Sequence, residues 1–128
     1  MAAALTGRFA RSDRLRASRD YRRVAAQGRR LASREFVVLV APARPVATAR
    51  VRLGITASRK VGNAVTRNRV KRAVREWFRS CRDGLGGGND GLDVVVIARR
   101  AARELDSGGI AERLSSLLER GEGKVGRA

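Results

Sequence analysis

The sequence predicts a small α+β sandwich, with helices packed on a central sheet in a single domain. Two observations set the sheet and the helices. The runs 35–41 (EFVVLVA) and 92–98 (LDVVVIA) are almost wholly apolar and read as strands buried on both faces. Between them lies a long stretch whose apolar residues recur at helical spacing. A third observation sets the size: 128 residues, 43% of them hydrophobic, make one core and leave no room for a second sizeable domain. A domain of this length buries roughly two-thirds of the surface its unfolded chain exposes, so it folds without staples.

The elements follow in order. Residues 1–13 are small, polar and basic and read as a flexible arm; 14–120 form the folded domain; 121–128 read as a flexible tail. Ser18 can cap a helix through Gln27, with Gly28 just past its end. Tyr21, Val24 and Ala25 give that helix one narrow apolar face. The strand 35–41 follows, and Pro42 and Pro45 bracket a turn. From 50 to 56 the pattern alternates. Arg50, Arg52, Gly54 and Thr56 fall on one side, and Val51, Leu53 and Ile55 on the other, which predicts a strand with one wet, basic face. The short connection predicts that these two strands pair antiparallel.

The longest helix is expected from Asn63 to about Arg82. Val70, Ala73, Val74, Trp77, Phe78 and Cys81 gather on one side of it, and Arg67, Lys71, Arg72, Arg75, Arg79 and Arg82 on the other. A flexible loop, 83–91 (DGLGGGNDG), leads into the strand 92–98. Ser107 or Gly109 opens a last helix, with Ile110, Leu114, Leu117 and Leu118 on its apolar face, and Gly121 ends it. The order is helix, two or three strands, helix, strand, helix.

Composition narrows the chemistry. A single Cys excludes an intramolecular disulfide framework and a multi-Cys zinc site. The absence of His removes the commonest metal ligand and the usual general base. Asp83, Asp90 and Asp93 are scattered about the Gly loop and make no obvious carboxylate cluster for two-metal hydrolysis. No apolar run approaches the ~20 residues of a membrane span, and the first nine residues are too short in apolar length for a secretory signal. The expectation is a soluble, cytoplasmic chain with no membrane and no small-molecule substrate.

Charge is the strongest signal. Lys and Arg number 29 against 12 Asp and Glu, a net charge of +17. Such a chain repels itself and makes sense against a polyanion. All the basic residues but Lys60, Lys71 and Lys124 are Arg, whose planar fork grips phosphate and stacks on bases. The segment 58–82 concentrates this charge. Gly62 permits a tight turn, and Asn63 can cap the helix and leave free N–H groups for phosphate beside Arg59 and Lys60. The basic face then runs for about four turns, roughly 25–30 Å. An ordinary solvated face mixes signs, whereas Glu76 is the only acid here, off the centre of the stripe. The stripe points to nucleic acid. With no helix-turn-helix pair, zinc finger or dimerising heptad evident, RNA is favoured over DNA.

The block Arg59-Lys60-Val61-Gly62-Asn63-Ala64-Val65-Thr66-Arg67-Asn68-Arg69-Val70-Lys71-Arg72, followed by Arg75-Glu76, resembles the signature of bacterial ribonuclease P protein components. The resemblance extends from about Arg14 to Arg120. It implies the order αβββαβα, with the basic helix in a left-handed crossover between parallel strands; pattern alone predicts the opposite hand. It also implies the accessory subunit of an RNA enzyme that removes the 5′ leader from precursor tRNA, with Mg²⁺ held mainly by the RNA subunit and substrate.

The resemblance assigns RNA contacts to Arg59, Lys60, Asn63, Arg67, Asn68, Arg69, Lys71, Arg72 and Arg75. Asn68 has a structural alternative as a backbone hydrogen-bonder, and Arg69, near the edge of the basic arc, as a brace of the fold. A cleft between the first helix and the sheet would hold the leader, with Tyr21 and Phe36 stacking on bases and Arg22 and Arg52 gripping phosphate. Core packing is the competing role for both aromatics. Where the family often carries further aromatics this chain has Ala25 and, on the first long strand, Leu39 or a neighbour, which shifts weight from stacking to Arg and backbone contacts, for example Arg22, Arg52 and Arg59. No catalytic or metal-binding residue is expected in the chain. If ~8 phosphates are contacted, log K against log salt should fall with a slope of about −6 to −7. The competing readings are a ribosomal protein or RNA chaperone, a stand-alone nuclease, and an architectural DNA-binding protein.

Overall fold

The computed structural model describes residues 18–42, 51–85 and 92–125. The elements are α1 (Ser18–Gln27), β1 (Arg29–Ala32), β2 (Phe36–Pro42), β3 (Val51–Ala57), α2 (Ala64–Leu85), β4 (Leu92–Ala98), a 3-10 turn (Arg100–Glu104) and α3 (Ser107–Val125). The arm 1–13, Pro45, Arg50 and most of the 83–91 loop lie outside the described residues.

One four-stranded sheet has the order β1-β2-β4-β3. β2 runs antiparallel to both β1 and β4, and β3 runs parallel to β4. The expected antiparallel pairing of the second and third strands is therefore wrong, because β4 lies between them. Its residues from Asp93 to Val96 are buried to 1% exposure or less. So apolar a strand is best satisfied at the centre of the sheet, with neighbours on both edges. β3 reaches β4 through α2, which makes the basic helix a crossover between parallel neighbours.

The sheet has a core on each face. On one, Phe36, Val38 and Val40 of β2, Leu53 of β3, and Val94 and Val96 of β4 pack beneath Val70, Val74, Trp77 and Phe78 of α2 and Ile110, Leu114 and Leu117 of α3. Trp77 Nε1 donates to Ser115 Oγ at 3.0 Å, tying the two helices together. On the other face, Val24 of α1 meets Val37, Leu39, Ala41 and Val95, with Tyr21 and Ile97 at the margin.

Two glycines permit close approaches. Gly28 donates to Val24 O at 2.7 Å at the end of α1. Its role is room: a Cβ there would stand 2.5 Å from Val24 O and 2.7 Å from Val40 O. Gly62, at φ +152°, makes the turn from β3 into α2.

Two helix ends differ from expectation. α2 runs on to Leu85 and α3 passes Gly121 to reach Val125. A glycine costs a helix about 1 kcal/mol but ends it only where the backbone turns into a capping geometry.

Candidate nucleic-acid interface

The N-terminus of α2 is built as the sequence predicts. Asn63 caps it: Thr66 N donates to Asn63 Oδ1 at 2.9 Å, and Arg67 N to Asn63 O at 2.9 Å. The preceding turn is held by Val61 N to Ser58 O at 3.0 Å and Gly62 N to Arg59 O at 3.2 Å. Arg59, Lys60 and Asn63 are exposed around it. Helical spacing then sorts the rest. Arg67, Lys71 and Arg75 are half-buried along the flank, while Asn68, Arg72 and Arg79 are exposed on the outer face. Because Trp77 and Phe78 are buried beneath them, this cationic face is held on a rigid support. The Nε of Arg67 is buried without a hydrogen-bond partner.

Arg69 is placed differently from its neighbours. It donates through Nη1 to Leu105 O at 2.7 Å and through Nη2 to Arg103 O at 2.8 Å. Its fork spans the turn between the 3-10 segment and α3, so the bracing alternative has a geometry. Asn68 is exposed one residue before it.

The cleft candidates separate. α1 lies across the strands. Tyr21 reaches a backbone hydrogen bond with Ile55 of β3, Val24 sits over β2 and β4, and Gly28 meets Val40. Burial pushes the Tyr21 phenol above its usual pKa, and the Ile55 bond pulls it the other way. Arg22 is exposed on α1. Thr56, exposed, and Ile97, half-buried, are register partners on the open sheet beside α1.

Phe36 is not part of this cleft. It is fully buried on the opposite face, beneath α2 and α3. Strand parity decides this: Val37 and Leu39 face α1, so Phe36 and Val38 cannot. Ala25 is exposed on α1, and Leu39 is buried beneath it.

Arg52 corrects a second expectation. Among the described residues of the β3 face that alternation marks as wet and basic, Arg52 is half-buried, Gly54 is buried and only Thr56 is exposed. Arg52 grips Asp93 with both arms, Nε to Oδ1 at 2.8 Å and Nη2 to Oδ2 at 2.9 Å. Arg23 of α1 donates to the same Oδ2 and, at 2.9 Å, to Pro42 O. Side-chain exposure is 0% for Asp93, 13% for Arg23 and 15% for Arg52, so this is a buried ionic cluster. The binding of Arg52 raises its own pKa further, through the hydrogen bond to Asp93. Sequence reasoning missed Arg23 and the role of Asp93. The signal was present: an acid inside an otherwise apolar central strand requires a cation, and Arg52 lies on the alternating face of the neighbouring strand.

Among the described residues no three His, Cys, Asp or Glu side chains are grouped to hold a metal ion. No described helix is long and apolar enough to cross a membrane.

Comparison with known proteins agrees with this architecture. The family model for ribonuclease P matches residues 9–122. The ribonuclease P protein component of Staphylococcus carnosus is 35% identical over 106 residues, covering 83% of this chain and 87% of that protein. The solved Staphylococcus aureus RNase P protein is 33% identical with a TM-score of 0.76, over 86% of this chain and 95% of that one. The RNase P protein of Thermotoga maritima is 38% identical with a TM-score of 0.68, over 84% and 96%. With the fold and most of the length in common, the chain belongs to the ribonuclease P protein family, the protein component of a tRNA-processing ribonucleoprotein.

Proposed function

We propose that this chain binds the ribonuclease P RNA through α2 and holds the 5′ leader of precursor tRNA in the cleft beside α1, promoting endonucleolytic removal of the leader. One observation carries the reading. The basic α2 and α1 pack on opposite faces of one sheet, so one folded body could offer a separate surface to each RNA.

Each surface has a distinct task. Arg59, Lys60 and Asn63 at the helix start, and Arg67, Asn68, Lys71, Arg72 and Arg75 along it, meet the phosphates of the RNA subunit. Tyr21 offers a ring to one unpaired base, and Arg22 a charge to the adjoining phosphate. Neutralising two RNAs that repel each other lowers the cation concentration they need, and holding the leader positions the scissile bond. Mg²⁺ would be held by the RNA subunit and substrate; the described residues of the chain do not form a cage for it. On this proposal catalysis is the RNA's, and the chain is accessory.

The test is leader cleavage of a precursor tRNA at low Mg²⁺, with a bacterial ribonuclease P RNA and with or without this chain. Strong stimulation that requires the RNA supports the reading. Tight RNA binding without stimulation overturns it in favour of a purely RNA-binding role, and cleavage by the chain alone overturns it in favour of a nuclease.

A further inference from the structure

We infer that Asp93 is a positioning residue for the leader: through Arg52 and Arg23 it clamps α1 to the sheet and so sets the width of the cleft on α1's other side. This rests on the leader-cleft reading above and goes beyond it by assigning a role to residues that need not touch RNA.

α1 crosses the strands, and its C-terminal end is fixed by the close approach of Gly28 to Val40. The helix has three further attachments to the sheet: Tyr21 on Ile55, Arg23 on Asp93 and Pro42, and Val24 in the small core. Asp93 stands at the start of β4, opposite Ala41 of β2 and Arg52 of β3. Exposed Thr56 and half-buried Ile97 stand at the far end of the same strands. Among the described residues, one flank of α1 is therefore closed by the ionic cluster, and the exposed Thr56 lies away from it.

The directionality of the cluster suits a clamp. Arg52 alone satisfies both Asp93 oxygens through its planar fork. Arg23 adds a second cation to an acid that is already paired. That addition is explained by what Arg23 brings with it, the helix α1. Asp20, 3.7 Å from Arg23 on the next turn back, offsets part of the surplus charge. Removing Arg23 leaves the Arg52–Asp93 pair intact and the sheet closed, but frees α1 to tilt.

The experiment uses the holoenzyme reconstituted from this chain and a bacterial ribonuclease P RNA. Two precursor tRNAs serve as substrates, one with a single-nucleotide leader and one with a leader long enough to enter the cleft. Arg23→Gln should raise KM for the long-leader substrate about tenfold, with KM for the short-leader substrate and both kcat values unchanged within about twofold. Arg23→Lys should recover part of the loss, and Asp93→Asn should act in the same direction as Arg23→Gln. Affinity for the RNA subunit, carried on the opposite face, should not move. A merely structural role would lower the active fraction and affect both substrates alike. That outcome, or a leader preference that survives Arg23→Gln, overturns the clamp. Equal KM for the two substrates with the unaltered chain overturns the leader-cleft reading itself.

Discussion

Arg69 and Arg72 stand three residues apart in one basic helix, and the structure gives them opposite tasks. Arg69 makes two short hydrogen bonds to the carbonyls of Leu105 and Arg103, while Arg72 is exposed on the outer face. Two charge-assisted bonds at a solvated site are together worth about 1–2 kcal/mol. For a chain of this size each kcal/mol moves Tm by about 3–6 °C, so Arg69→Ala should lower Tm by roughly 3–12 °C. Arg72→Ala should leave stability within about 0.5 kcal/mol. RNA binding reverses the order. Loss of one phosphate contact at Arg72 should make the log K against log salt slope shallower by about 0.7–0.9, and Arg69→Ala should leave that slope unchanged. The assays are thermal melting of the free chain and titration of the RNA subunit at a series of salt concentrations. A flattened slope for Arg69→Ala with an unchanged Tm would refute the assignment of Arg69 as a brace.

Three further outcomes are expected. Gly28→Ala should destabilise the fold by about 1–3 kcal/mol in denaturant unfolding, since the new methyl meets backbone oxygens that cannot rotate aside; an unchanged midpoint would mean that α1 does not pack on β2 this closely. Asn63→Ala should cost about 0.5–2 kcal/mol through loss of the Thr66 cap, read by the same unfolding curves. Burial pushes the Cys81 thiol up to about 11, so at pH 8 it should react with a thiol reagent much more slowly than in the urea-unfolded chain. Because the folded pKa lies above the ordinary value of 9.0, its contribution to stability is complete below pH 9 and is lost as pH rises through about 11.

Much of the fold is legible in the sequence, and what is illegible has physical causes. The apolar runs of β2 and β4 and the two faces of α2 are local patterns, and each element forms where its pattern lies. The order of strands is not local. Nothing in residues 35–57 says that β4 will separate β2 from β3, and the parallel pairing followed only from the resemblance. Alternation placed Arg52 on the correct face, yet could not show that α1 would cover it or that Asp93 would hold it. Phe36 takes the competing core role rather than the cleft one: in a strand buried on both sides, apolar character does not reveal which side a ring faces. On α2 the signal was strong, because charge and apolar residues divide along one helix. Even there, the capture of the Arg69 fork by the carbonyls of the 102–106 turn is a tertiary event with no local signature.

The central place of β4 gives the chain an order of assembly. A ribosome adds roughly 5–20 residues each second, so β2 and β3 emerge seconds before the strand that must join them. Until residues 92–98 appear, β3 has no partner among the described strands, and α2 has only part of the surface it will cover. The nascent chain therefore carries most of its positive charge while its sheet is still open. Completion depends on a late insertion that pairs both edges of β4 together, a non-local step of the kind that slows folding. A stop codon before β4 would yield a long basic helix without a scaffold.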